Sequence, residues 1–131
     1  MVKIRNGFVS NSSSSSFVLK TSLTKDELKE NVKKFIHAWV EYQKTMNPSN
    51  IKWYSEKYTD ANIDECIDYI DVENDTIDDF LKEWYECNNF DNADMIIYAY
   101  ENYIPDTEDF WAFLQYGCKD TRVIDYSGHM G

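Results

Sequence analysis

Acidic side chains in the second half of the chain have the spacing best suited to a binding function. They form two consecutive sets: Asp64, Asp68, Asp71 and Asp75, then Asp79, Glu83 and Glu86, with Asp78 directly before the second set. Side chains three or four residues apart share one face of a helix, so each set predicts a row of carboxylates. The stretch from Glu56 to Asp109 holds eighteen acids and only two bases, Lys57 and Lys82. Pairing within this stretch therefore cannot neutralise the rows.

Two interpretations of these rows stay open. A solvated acidic face keeps a protein in solution and carries no further function. Alternatively, such a face occupies a basic groove of another protein, as a nucleic-acid mimic does, with exposed Tyr and Trp side chains as anchors. The second interpretation makes the eight acids the binding residues.

Metal and cofactor chemistry is not predicted. Asp71-x-Glu73-x-Asp75 resembles the start of a calcium loop, but Thr76 stands where the loop needs glycine and Lys82 where it needs a bidentate Glu. The two histidines and three cysteines have no recognised ligand spacing. We name no metal ligand and no cofactor.

Nucleophilic catalysis has one weak candidate. Ser127-Gly128-His129 places a hydroxyl and a base close together in sequence, but no nucleophile elbow surrounds them. The serines at 12–16 could donate to a phosphate, yet they lack the glycines and lysine of a phosphate-binding loop. A small hydrolase using Ser127 and His129 is the least favoured alternative, and we name no catalytic residue.

The charge distribution favours a basic partner. The formal net charge is −11; residues 1–46 carry eight basic and four acidic side chains, whereas residues 47–131 carry five and twenty. A polyanionic surface repels phosphate backbones, so direct nucleic-acid binding is disfavoured. A basic protein is the better match.

Cysteine usage and hydropathy indicate the compartment. An odd number of widely spaced cysteines fits a reducing environment rather than a disulfide framework. No apolar segment follows Lys3 and Arg5, and no apolar run approaches the ~20 residues that span a bilayer. We expect a protein of the bacterial cytoplasm, or of a virus particle, without membrane association. The oligomeric state is left open.

Local signals predict an α+β fold that is mainly α. Apolar or alternating runs predict short strands before residue 20 and a last strand over 122–126. A capping box, Thr24 with Glu27, predicts a helix over 25–46. Apolar stripes predict further helices, with the bounds 60–70, 76–87, 91–103 and 107–116. We expect four or five helices on a small antiparallel sheet formed by the N- and C-terminal strands.

One domain of 131 residues accommodates these elements. We divide it into N-terminal strands with a Ser-rich loop at 1–23, an acidic helical body at 24–117, and a C-terminal strand and tail at 118–131. The loop predicts exposed serines from Ser12 to Ser16, whereas Phe8, Val9, Phe17 and Val18 should be buried in strands.

The first twenty residues resemble the start shared by many short phage, prophage and bacterial proteins. The matching letters are Lys3-Ile4-Arg5-Asn6-Gly7-Phe8-Val9-Ser10-Asn11, the serines at 12–16, and Phe17-Val18. That family has no established activity to carry over. The resemblance implies a phage or mobile-element context, in which small acidic proteins often inhibit host factors or form minor virion components.

Together these observations predict a non-enzymatic protein-interaction module of phage type. Its acidic face would block a basic, nucleic-acid-handling protein of the host. The alternative is a virion or assembly component that docks on a phage structural protein through the Ser-rich segment.

Overall fold

The structure, a computed structural model, describes residues 15–76, 92–100 and 103–128, with the backbone alone at 127 and 128. In chain order, the regular elements within these ranges are β1 (Ser15–Thr21), α1 (Lys25–Met46), a short 3₁₀ turn (Pro48–Asn50), α2 (Ile51–Lys57), α3 (Asp60–Cys66), β2 (Ile67–Asp71), β3 (Met95–Ala99), α4 (Thr107–Ala112), a π-helical turn (Phe113–Gly117) and β4 (Thr121–Gly128). The predicted α+β class, mainly α with helices on a small antiparallel sheet, is confirmed.

The sheet has four strands in the order β2-β3-β1-β4, and all neighbouring strands are antiparallel. The N-terminal strand β1 therefore lies inside the sheet, between β3 and the C-terminal strand β4. Pairing of the two terminal strands was predicted from the sequence. Strands β2 and β3 were not, and they lie where the sequence analysis expects helices.

Two predicted helices are wrong in these segments. The helix expected over 60–70 ends at Cys66, and the chain continues as β2. The helix expected over 91–103 is replaced, where the structure describes it, by β3, whose five residues are all buried. Short apolar runs fit a central strand as well as a buried helix, and here pairing with β1 and β2 decides for the strand.

Helix α1 follows the predicted capping signal. The Thr24 hydroxyl accepts from the Glu27 amide at 3.2 Å, and the Glu27 carboxylate accepts from the Thr24 amide at 2.8 Å. The helix ends at Met46, directly before Asn47 and Pro48. The predicted bounds of this helix are confirmed because both of its ends are encoded locally.

The sheet is buried on both faces. One face carries Phe17, Leu19 and Ile97 and packs with Leu28, Val32 and Ile36 of α1 and Phe110 of α4 in the main core. The other face carries a second cluster of four buried residues: Val18, Ile70, Ile96 and Tyr98. Alternating residues of β1 and β3 thus serve the two clusters, as the pleat of a strand requires.

The Ser-rich segment is only partly a loop. Ser15 and Ser16 are buried in β1, paired with β3 on one side and β4 on the other. The expectation that they are exposed is wrong, because the strand begins two residues earlier than the apolar residues indicate. Burial of Phe17 and Val18 is confirmed. Phe8, Val9 and Ser12 to Ser14 lie outside the described residues.

Phe17 is the residue whose truncation should cost most. It is fully buried in the central strand β1, with its ring centroid 5.1 Å from that of Phe110 and 4.9 Å from that of Tyr126. Phe17→Ala is expected to lower the free energy of unfolding by about 3–5 kcal/mol, from lost burial and the cavity left behind. Urea denaturation monitored by circular dichroism measures it.

Ser16→Ala is the matched control. The Ser16 hydroxyl is buried and makes no hydrogen bond within the described residues, so removing it should change stability by less than about 1 kcal/mol. A loss for Phe17→Ala no larger than that for Ser16→Ala would contradict the packing of Phe17 in the core.

Candidate functional site

The predicted carboxylate row along one helix is not formed. Asp64 lies on α3, Asp68 and Asp71 lie on β2, and Asp75 lies in the turn that follows β2. A strand has a period of two residues, so the helical spacing no longer puts these side chains on one face. Asp78, Asp79, Glu83 and Glu86 lie outside the described residues and stay a prediction.

Lysines of α1 pair with two of these acids. Lys33 Nζ lies 2.9 Å from Asp64 Oδ1, and this bond raises the pKa of Lys33. Lys25 Nζ donates to Asp75 Oδ2, which also accepts the Asp71 backbone N–H at 2.9 Å. The count of charges between Glu56 and Asp109 could not reveal these pairs, because both lysines lie on α1. Asp64 and Asp75 therefore contribute to tertiary structure.

Asp71 organises the turn after β2. One of its oxygens accepts the backbone N–H groups of Glu73 and Asn74 at 3.1 and 3.2 Å, and the other accepts the Asn74 side-chain amide at 2.9 Å. The Asn74 side chain, followed by the two backbone donors, lowers the pKa of Asp71. This is an Asx-type turn rather than a ligand site.

A groove beside the edge strand β4 is the strongest candidate for a binding site. It has a volume of about 370 Å³ and is lined by Thr107, Glu108, Trp111 and Tyr126. We call it the aromatic groove. Trp111 and Tyr126 are 36% and 39% exposed, so each ring is partly buried and partly open to solvent. Next to Trp111, the ring of Tyr116 is 78% exposed and makes an edge contact with it at 5.9 Å.

The rings of the groove are held by buried neighbours. Tyr126 packs on Phe17 from β4, and Trp111 follows the fully buried Phe110 on α4. Asp106 caps α4 by accepting the Asp109 amide at 3.0 Å. After α4 the π-helical turn brings Gln115 to β4, where its side-chain oxygen accepts the Val123 N–H at 2.8 Å. The groove is therefore preorganised on rigid elements.

The lining of the groove is mostly apolar and includes one acidic side chain. Glu108 lines it, and Asp106, Asp109 and Asp125 are sequence neighbours of its lining residues, whereas no Lys or Arg is among the four. A pocket with two aromatic faces and a carboxylate suits a cation, which gains from the ring quadrupoles and from charge pairing. Sequence reasoning missed this site, although Trp111 lies off the Phe110–Leu114 stripe.

A second cleft, of about 420 Å³, is lined by Trp53, Glu56, Lys57 and Tyr103. Its cation is already engaged, since Lys57 Nζ lies 4.8 Å from the ring centroid of Trp53, 5.1 Å from that of Tyr103 and 5.4 Å from that of Tyr58. Burial raises the pKa of Tyr58 to about 12. Lys57 therefore has a structural role, because it connects α2 with the segment before α4.

The acidic, histidine and cysteine side chains of the described ranges do not cluster as metal ligands do. No group of three or more His, Cys, Asp or Glu that could hold a metal occurs among residues 15–76, 92–100 and 103–128. Cys118 is buried, and burial raises the pKa of its thiol, which disfavours a nucleophilic thiolate. His129 and the Ser127 side chain lie outside the described part. Within that part, no helix is long and apolar enough to cross a membrane.

Comparison of the chain with protein-family models, with curated proteins and with solved structures found no match.

Asp71 should make stability depend on pH in the acid range. Because its pKa is lower in the folded chain than the ~3.9 of an unfolded Asp, the stabilisation is present above that value and is lost as pH falls through the folded pKa. The isosteric variant Asp71→Asn should therefore be less stable than wild type at neutral pH. The difference should shrink below about pH 4.

Thermal unfolding of both chains between pH 2 and pH 7 measures this effect, with the exposed neighbour Glu73→Gln as the control. A wild-type advantage that stays constant across this range, or an equal effect of the control, would contradict the role of Asp71.

Lys57→Met tests the structural role of the second cleft. Methionine keeps much of the apolar stem but removes three cation–π contacts, each worth about 0.5–1 kcal/mol at exposed sites, so a loss of about 1.5–3 kcal/mol is expected. Lys52→Met, at an exposed position of the same helix, should change stability by less than about 0.5 kcal/mol. Denaturant unfolding separates the two, and equal losses would contradict the contact.

Proposed function

We propose that this chain is a non-enzymatic protein-interaction module that binds a basic partner protein through the aromatic groove. The single observation that carries the proposal is the pairing of two exposed, firmly held rings with a carboxylate, in a lining that contains no cation. Trp and Tyr are the side chains that most often dominate binding energy at protein interfaces. Charge alone would give attraction without such anchors.

The overall charge supports the same partner class. A chain of net charge −11 attracts basic surfaces over several ångströms and repels acidic ones, which favours fast and selective encounter. Asp64, Asp71 and Asp75 contribute to this field while engaged in internal contacts. Direct contact is proposed for Glu108, Trp111 and Tyr126 instead. Asp68, Asp78, Asp79, Glu83 and Glu86 stay predicted contacts.

The N-terminal resemblance supports a host protein as the target. Nucleic-acid-handling proteins carry the basic surfaces that an acidic module would occupy, and blocking them is a common task of small phage proteins. Such a module would act in the cytoplasm of the bacterial host. The alternative, docking in a virus particle through the serines, has less surface to use, because Ser15 and Ser16 are buried between β3 and β4.

Capture from host lysate by the tagged full chain, followed by mass spectrometry, tests the proposal. The captured proteins should be basic, and their retention should fall as salt rises, because exposed charges are screened. Trp111→Ala should weaken capture at least about tenfold, the loss expected of an interface anchor.

Trp53→Ala is the matched control, since Trp53 is an exposed tryptophan of the other cleft. It should leave capture unchanged. Capture of acidic or neutral proteins, or equal loss in both tryptophan variants, would overturn the proposed function.

A further inference from the structure

We infer that the aromatic groove accepts an arginine side chain of the partner, and that the partner does not add a strand to β4. This inference rests on the proposed function and specifies its chemistry. Two observations carry it: the hydrogen-bonding state of the β4 edge and the composition of the groove.

The β4 edge is occupied at two of the positions that a new strand would use. Strand β4 lies at the end of the order β2-β3-β1-β4, where exposed N–H groups commonly accept an extended peptide. The Ser22 N–H donates to the Asp120 carbonyl oxygen, so these two residues form a hydrogen-bonded pair at the end of the β1–β4 ladder. Hydrogen-bonded and non-hydrogen-bonded pairs alternate along an antiparallel ladder. Val123, three residues after Asp120, therefore belongs to a non-hydrogen-bonded pair, and its N–H faces outward. That N–H already donates to Gln115 Oε1 at 2.8 Å.

The second blocked position is Tyr126. Its N–H donates to Asp125 Oδ1 at 2.7 Å. Along β4, Tyr126 lies beyond the point where the pairing with β1 shifts register, between Val18 and Leu19. A peptide strand would have to displace both side-chain acceptors to pair here. Side-chain insertion into the adjoining groove requires neither displacement.

The groove lining selects among side chains. An acidic side chain would be repelled by the exposed carboxylate of Glu108, and an apolar one would make no ion pair with it. Both cationic side chains could pair with the carboxylate. Arginine fits better than lysine because its planar guanidinium stacks on aromatic faces, binds a carboxylate through two hydrogen bonds, and is less strongly hydrated. The volume of about 370 Å³ accepts such a side chain with part of its neighbours.

A peptide titration followed by NMR tests the inference. The probe is acetyl-Gly-Arg-Gly-amide, added to the ¹⁵N-labelled full chain, with the indole N–H signals assigned through Trp111→Phe and Trp53→Phe. The Trp111 signal should shift and saturate, while the Trp53 signal stays in place. The same peptide with citrulline, the neutral isostere of arginine, should bind at least about tenfold more weakly, because the charge is lost.

Three comparisons complete the test. Glu108→Gln should weaken arginine-peptide binding at least about fivefold, whereas the control Glu56→Gln in the other cleft should not. Lysine in the probe should bind more weakly than arginine. Replacing both glycines by N-methylglycine should leave affinity unchanged, since no strand forms.

The results that would overturn the arginine assignment differ from the result that would overturn the proposed function. Citrulline binding as tightly as arginine overturns the arginine assignment, and loss of binding on N-methylation shows strand addition instead. A shift of Trp53 alone also overturns the assignment. Each of these leaves the proposed function intact if capture of basic proteins still depends on Trp111; only the failure of that capture removes the function itself.

Discussion

The packing of Phe17 against Phe110 and Tyr126 is the contact on which the described structure most depends. It joins the inner strand β1 to α4 on one side and to the edge strand β4 on the other. Since β1 also pairs with β3, the strand that carries Phe17 is held by a neighbouring strand on each side. On one side of the aromatic groove, the ring of Tyr126 packs on Phe17, and Phe17 in turn packs on Phe110. The proposed binding surface is thus in direct contact with the core.

The sequence predicts best what is encoded locally. Thr24 and Glu27 mark the start of α1, and Asn47-Pro48 marks its end, so both bounds could be derived without any tertiary contact. The burial of Phe17 and Val18 followed from an apolar run of strand type. In contrast, Met95–Ala99 carries no local feature that separates a central strand from a buried helix. Its strand state is determined by partners more than twenty residues away in sequence.

The candidate site shows the same limit. Spacing among the acids suggested a continuous row, but the change from α3 to β2 at Ile67 places Asp64 and Asp68 on different elements. The pairing of Asp64 with Lys33 and of Asp75 with Lys25 could not be inferred from a count within one stretch, because both lysines belong to α1. The aromatic groove could not be predicted from the sequence either. Trp111 and Tyr126 are fifteen residues apart in sequence and meet only through the fold.

The acidic side chains divide into two groups with different physical roles. Asp71, Asp75 and Asp106 accept backbone N–H groups at turns and at a helix start, so their negative charge is used by the fold itself. Glu108 lines an open groove, and its charge is available to a ligand. A net charge alone does not distinguish the groups, whereas the hydrogen-bond partners do. The charges of Asp71, Asp75 and Asp106 therefore stabilise the fold, whereas the charge of Glu108 is the one proposed for recognition.

The hydrogen bond from Val123 to Gln115 has a consequence for the behaviour of the protein at high concentration. Open edge strands recruit further strands, and this is the usual first step toward fibres and domain-swapped assemblies. In this chain a side chain from the π-helical turn occupies an outward donor of β4, and the Asp125 carboxylate occupies the next one along the same strand. The chain can thus display large aromatic rings beside a sheet edge while that edge remains a poor template for growth.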